Sequence, residues 1–184
     1  MQEDRVRWNR KYAERTYPDQ PNDLVRRYLK QVRSGRALDI AAGNGRNAVF
    51  LAEQGFQVDA VDISDAGLKL FAGRHPRVRP VCVDLDRYDI LPHRYDLIIN
   101  TKYLNRRLLP YIADGLKAGG RLIFETYLKS DGVQPDPPFC EDHLLIANEL
   151  LHAFLTLRVI YYSEAGAPLP SDPYPLASLV ALKG

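Results

Sequence analysis

The sequence predicts an α/β domain: a doubly wound, mostly parallel sheet of seven strands with helices on both faces, finished by a C-terminal antiparallel hairpin. Three observations carry the prediction. Short apolar, β-branched runs alternate with helical patterns from residue 37 onward, a glycine-bearing loop separates the first run from its helix, and the last two runs are joined by a Pro-rich stretch instead of a helix. At 184 residues the chain holds one nucleotide-type domain and leaves little room for a separate substrate domain. Residues 1–184 are therefore read as a single unit, with 1–35 a helical N-terminal lid and 36–184 the core.

The elements follow in order. ALDIA at 37–41 is the first strand, and the helix-like NAVFLAEQ after the glycine loop ends at Gly55, a residue suited to a helix C-cap. VDAVDI at 58–63 is the second strand, and Ser64-Asp65 after it suits a helix start. VRPVCV at 78–83 is the third. Its Pro80 lacks the N–H that an inner strand needs, so this strand belongs at an edge. DLIIN at 96–100 and RLIFET at 121–126 are the fourth and fifth. A helix over Glu141–Phe154, a strand at Leu157–Ser163 and a last strand at Leu176–Leu182 complete the chain, the final pair antiparallel because no crossover helix joins them. QPDPP at 134–138 and APLPSDPYP at 167–175 read as loops.

Composition narrows the function. The chain carries 25 basic and 23 acidic side chains and is 46% hydrophobic, which argues against a disordered chain, and no apolar run reaches transmembrane length. Two cysteines, Cys82 and Cys140, exclude a disulfide scaffold, and Cys82 on the third strand reads as a small core residue. The charged start MQEDRVRWNRKY does not resemble a secretory leader and predicts a cytoplasmic protein. Residues 1–36 hold ten basic and five acidic side chains. They are spread around a helix and read as a solvated face, not a nucleic-acid surface. His75, His93, His143 and His152 show no zinc spacing among themselves or with the cysteines, so no metal site is predicted. His75 belongs to a turn and His152 to a helix surface.

The densest chemical signal is LDIAAGNGRNA at 38–48. A buried strand running into Gly43 and Gly45 and then into a helix gives a sharp turn where a ligand can approach bare backbone. Three carboxylates accompany it near the C-terminal ends of successive strands, where open α/β sheets bind ligands. Asp62 offers two acceptor oxygens to a ribose diol. Asp84, followed by Leu85, can accept from an adenine amino group and cover its ring. Asp39 lies just ahead of the loop, placed to brace it or to receive a cationic group. Together they describe a nucleoside pocket.

These residues resemble a known family. LDIAAGNGRNAVFLAEQGFQVDAVDIS, VDLD, YDLIIN and LKAGGRLIFETYL are similar to the successive motifs of class I S-adenosylmethionine (SAM) methyltransferases, a Rossmann-like fold, over about residues 36–182. WNRKY, GRNA, YLNRRLLP and NELLHAF resemble the small bacterial branch that includes tellurite-resistance-type methyltransferases. The resemblance implies SAM as cofactor and S-adenosylhomocysteine as product. It places Ala41, Gly43 and Gly45 along the methionine part, Asp62 on the ribose, Ile63 on the adenine, Asp84 and Leu85 at its edge, and Asn100 by the methyl side. Asp39 and Arg46 join this cofactor set. AAG stands where the family often has GCG or ACG, and alanine is small enough to preserve binding.

Three other readings compete. Gly43-x-Gly45-x-x-Ala48 with Asp62 satisfies the dinucleotide fingerprint of an NAD-dependent oxidoreductase, but Asp39 and Asp84 are extra and no Tyr-x-x-x-Lys pair exists. A non-catalytic SAM-binding module would keep the same motifs. Nucleic-acid methylation is disfavoured because Asn100-Thr101-Lys102-Tyr103 lacks the two prolines of the amino-methylating motif and no domain remains to capture a flipped base. The preferred acceptor is a small molecule. Tyr103 and Arg106 are the candidates for its mouth, Trp8, Tyr12 and Tyr17 the lid, and Arg46, Lys102 and Arg106 a positive field favouring an anion such as tellurite, selenite or a carboxylate. So small a recognition surface favours a small acceptor or a homodimer that lends surface.

Overall fold

The computed structural model describes residues 2–14, 17–30, 32–129, 141–164 and 174–184. Its strands are β1 (Arg36–Ile40), β2 (Gln57–Asp62), β3 (Val78–Cys82), β4 (Tyr95–Thr101), β5 (Leu116–Tyr127), β6 (Arg158–Glu164) and β7 (Leu176–Leu182). They form one sheet in the order β3-β2-β1-β4-β5-β7-β6. Neighbours from β3 to β5 are parallel, and β7 runs antiparallel to both β5 and β6. The order reverses between β1 and β4, the switch point at which such sheets open a crevice for ligands.

Both faces of the sheet are covered, which is why its inner strands read as nearly continuous apolar runs. Leu38, Ile40, Val61, Ile98, Leu122 and Phe124 point into one core with α5 (Leu108–Gly115) and α6 (Glu149–Ala153). Ala37, Val58, Ala60, Leu97, Ile99 and Ile123 point into the other, with α2 (Asp23–Leu29), α3 (Arg46–Glu53) and α4 (Asp65–Lys69). The strand period of two puts Asp39 and Asp62 on this second face. The N-terminal helix α1 (Gln2–Glu14) has no buried residue of its own and lies over α4.

Several expectations hold. β3 is an edge strand, so Pro80 deprives no inner neighbour of a donor. Gly55 has φ 96° just after α3, and the Ser64 side chain accepts from the Gly67 N–H at the start of α4. Others are corrected. No helix joins β3 to β4. β5 begins earlier, at Leu116, and its pairing with β4 carries a register irregularity between Tyr95 and Leu97 ahead of the regular stretch. The single helix expected over 141–154 is split into a 3-10 turn at Glu141–His143 and α6. Leu145 bridges to Leu128, and Asn148 adopts φ 63°, which breaks helical continuity. Cys82 is exposed on the edge strand and not in the core, with its thiol toward the Ile63 carbonyl. The 134–138 loop and residues 167–173 of the second Pro-rich loop lie outside the described residues. Among the described residues, no helix is long and apolar enough to cross a membrane, and no His, Cys, Asp and Glu group is arranged to hold a metal.

Asp59 ties the opposite end of the sheet together. Its buried carboxylate accepts from Arg36 Nε and Nη2, from Arg79 Nε, and from Tyr95 Oη at 3.1 Å. Burial pushes this acid up, but the two arginines more than offset it and hold it below the usual aspartate value. A depressed native pKa contributes stability above the unfolded pKa and loses it as pH falls through the native one. Asp59→Asn should therefore cost about 1–3 kcal/mol at pH 7. In urea titrations, that deficit should stay constant down to about pH 4 and shrink below it.

Candidate functional site

The turn between β1 and α3 is built from left-handed backbone. Ala41, Gly43 and Gly45 have φ of 54°, 58° and 75°. For glycine this is free of penalty, whereas for Ala41 it stores about 1 kcal/mol of strain at the mouth of the crevice. The two glycines also serve close packing. A Cβ on Gly45 would lie 2.2 Å from the Phe71 ring, and one on Gly43 would lie 2.3 Å from the Tyr12 hydroxyl. Gly43 is bare where Tyr12 approaches, and Gly45 is bare because Phe71 needs the space.

Asp62, at the end of β2, holds this loop in place. One carboxylate oxygen accepts from the Gly43 N–H and the other from the Ser64 N–H, both at 2.8 Å. Each oxygen keeps a second lone pair for a further donor. Burial pushes Asp62 up, and the backbone N–H groups around it restrain the rise. Asp39, 1% exposed, has no hydrogen-bond partner on either oxygen. Burial and the nearby Asp62 charge push it up to about 8, against the Arg46 charge and the Ala48 amide, which lies near without closing a hydrogen bond. An orphan buried carboxylate is costly unless a cation or donor completes it.

The other expected residues fall into two groups. Ile63 follows Asp62 directly, Leu85 is buried in the core beside the crevice, and Asp84 caps the turn after β3 through the Asp86 N–H. Asn100 is buried at the end of β4, its Nδ2 donating to the Tyr103 carbonyl at 2.6 Å. Arg46 lies at the rim, where Nη1 reaches the Gln20 carbonyl at 3.4 Å. Tyr103 turns toward the acidic side. Burial pushes its phenol up to about 12, helped by Asp86, Asp62 and Asp84 and opposed by the Asn105 amide. Arg106 is committed elsewhere. Nε and Nη2 grip both Glu149 oxygens at 2.6 and 2.9 Å, while Nη1 and Nη2 donate to the carbonyls of Asp142 and Leu144. That fork fastens α6 and the turn before it to the loop after β4, so the charge expected at the acceptor mouth is already engaged by Glu149.

The N-terminal segment contributes side chains to this end of the sheet. Tyr12 packs over the crevice, with its ring 4.6 Å from Tyr17 and 6.2 Å from Trp8 between centroids. The Pro18 carbonyl accepts from Asn44, the Gln20 carbonyl from Arg46, and the Asn22 N–H donates to Asn47 Oδ1. A buried polar network continues outward from there. Asn47 Nδ2 donates to Thr101, Asn22 Nδ2 to Glu125, and Ser178 Oγ to the other Glu125 oxygen. Asn22, Asn47, Glu125 and Ser178 had no sequence signal beyond the GRNA string, because their meeting depends on sheet order.

A methyltransferase-domain family model matches residues 37–120. The chain is 25% identical over 140 residues to the probable S-adenosyl-L-methionine-dependent methyltransferase TehB of Haemophilus influenzae, covering 70% of this chain and 48% of that protein. It thus spans about half the length of this curated relative. The crystal structure of TehB from that organism superposes with a TM-score of 0.76 at 20% identity, over 98% of this chain and 67% of the other. Phosphoethanolamine N-methyltransferase 2 of Haemonchus contortus, in complex with S-adenosyl-L-methionine, gives 0.71 at 17% identity, over 96% and 60%. The [4+2]-cyclase SpnF gives 0.68 at 16%, over 87% and 78%. At these identities the superpositions establish the fold, and the cyclase shows that the fold alone does not fix the reaction.

Two stability measurements test the site. Gly45→Ala combines left-handed strain with a clash against Phe71, so it should cost more than about 2 kcal/mol in urea unfolding. Asp39 has a native pKa above its unfolded one, so the native state holds a proton that the unfolded chain releases. Its ionisation destabilises increasingly from about pH 4 to about pH 8 and levels off beyond. The Tm of Asp39→Asn relative to the parent should therefore rise steadily from pH 5 to pH 8 and then stay flat.

Proposed function

We propose that this chain is a class I S-adenosylmethionine-dependent methyltransferase that binds SAM at the ends of β1, β2 and β3 and directs its methyl group to a small acceptor. The observation carrying this reading is the orphan carboxylate of Asp39 beside Asp62. A buried acid without a partner suits a ligand that brings a cation, and SAM carries an ammonium together with a ribose diol. Asp39 would take the ammonium end and Asp62 the ribose hydroxyls. Ala41 and Gly43 would flank the methionine part, Ile63 and Leu85 would cover the adenine with Asp84 at its edge, and Asn100 would lie on the methyl side. The same acid argues against NAD, whose pyrophosphate would meet a carboxylate ahead of the glycine loop.

Bound SAM supplies a methyl group already activated by its sulfonium. What remains for the chain is to align the acceptor and exclude water. The Tyr103 phenol, raised to about 12, stays protonated at neutral pH and is no general base there, and in this reading Asp39 is taken by the cofactor's ammonium. This favours an acceptor that is already nucleophilic, such as an anion. Arg46 at the rim and Lys102, near the Tyr127 ring, bring positive charge to the acceptor side. Tellurite, selenite and small carboxylates are the first acceptors to assay.

Calorimetry should find SAM binding that Asp62→Ala abolishes. Because the cation needs ionised Asp39, affinity should rise toward tenfold per pH unit between pH 6 and about 8, a dependence that Asp39→Asn should flatten. S-adenosylhomocysteine release across a small-molecule panel then identifies the acceptor. Binding of NADH without binding of SAM would overturn the reading.

A further inference from the structure

The end of the sheet away from the glycine loop carries a second concentration of charge. α3 and α4 connect β1 to β2 and β2 to β3 on one face, so the right-handed return from β3 to β4 runs over the other. A crossover helix ordinarily covers such a face, and the residues between β3 and β4 form none. The corner over the first residues of β1, β2 and β3 is left open: Gln57, Arg77 and Arg79 are exposed and Arg36 is partly so.

Sheet register arrays these side chains. Arg36 lies beside Gln57, and Asp59 beside Arg79, on strands about 4.8 Å apart. Residues two apart on a strand share a face, so Arg36, Gln57, Asp59, Arg77 and Arg79 stand on one side. They border an open groove of about 650 Å³, in which three guanidiniums accompany one carboxylate. That carboxylate is already engaged. Asp59 Oδ2 accepts from Arg36 Nε and Nη2 at 2.9 and 2.8 Å, and Oδ1 accepts from Arg79 Nε at 2.8 Å. These bonds fix the planes of both guanidiniums. Arg77 is held separately, its Nη1 donating to the Gly55 carbonyl at 2.7 Å. Among the described residues, both Nη groups of Arg79 and the Nε and Nη2 of Arg77 have no protein acceptor.

We propose that this groove is an anion site for a compound with linked phosphate groups, separate from the SAM crevice. Guanidiniums held in fixed planes present paired N–H donors that match phosphate oxygens, and their prior orientation lowers the ordering cost of binding. Arg77 and Arg79 leave the backbone about 7 Å apart, so two joined phosphates engage both forks. Pro80 puts no N–H on the outer edge of β3, which disfavours an added strand as the occupant. The length of β2, about 16 Å, separates the groove from the Asp62 end. A free diphosphate and the diphosphate of a nucleotide share this chemistry.

Calorimetry with pyrophosphate, UDP and sulfate at constant ionic strength tests the assignment. Pyrophosphate should bind once per chain and at least about tenfold tighter than sulfate. Arg77→Ala makes no change to the Asp59 cluster, and urea unfolding should show its fold retained. It should weaken pyrophosphate about tenfold or more. Arg79→Lys keeps the charge and removes the fork, and a comparable loss is expected. UDP weaker than pyrophosphate assigns the site to a free diphosphate, whereas UDP at least as tight, and equally weakened by Arg77→Ala, assigns it to a nucleotide.

Three results overturn the proposal. The first is equal affinity for sulfate and pyrophosphate. The second is pyrophosphate binding that Arg77→Ala or Arg79→Lys leaves intact, since charge in general is then all that is read. The third is a single-stranded oligonucleotide that binds more tightly than pyrophosphate with affinity growing with its length, the behaviour of a polyanion surface.

Discussion

Most of the architecture of this site depends on the carboxylate of Asp62. Its two oxygens hold the backbone of two different turns, Gly43 after β1 and Ser64 after β2. The left-handed loop is thereby fixed to the neighbouring strand, and α4 starts where α1 can latch onto it. One buried acid sets the relative positions of the glycine loop, the adjacent helix and the N-terminal segment.

Asp39 completes the electrostatic logic. On the same sheet face the Asp62 charge adds to burial in raising the proton affinity of Asp39, which has no internal partner. Such a carboxylate is costly to keep buried, the usual relation between a stable scaffold and a functional site built on it. Arg46 moderates the effect from the rim. The opposite end of the sheet shows the contrast: Asp59 is equally buried but fully engaged by Arg36, Arg79 and Tyr95, and its acidity shifts the other way.

The N-terminal segment reads in sequence as a charged, solvated helix, and much of its surface is that. Its function depends on a few positions facing inward. Asn9, Tyr12, Gln20 and Asn22 contact Ser64, Gly43, Arg46 and Asn47 in turn, so the segment follows the chain that surrounds the crevice. Arg106 shows the converse. In sequence it is a cation near a strand end, whereas in space it is a fork closing on Glu149 and two carbonyls. A charge counted along the chain is no measure of the charge left for a ligand.

Local chemistry determined what the sequence could say alone. Strand periodicity, the edge position implied by Pro80, the caps at Gly55 and Ser64, and the glycine loop with its following acids all depend on residues close together in the chain. They were legible for that reason. Tertiary structure decided whatever depends on distant segments meeting: the exposure of Cys82 on its edge strand, the capture of Arg106, the loss of a continuous helix at Asn148, the network from Asn22 through Asn47 and Glu125 to Ser178, and the seat of Tyr12 over Gly43 and Gly67. The strand order brings these residues together from separations of tens of residues, and no local pattern encodes which of them will touch.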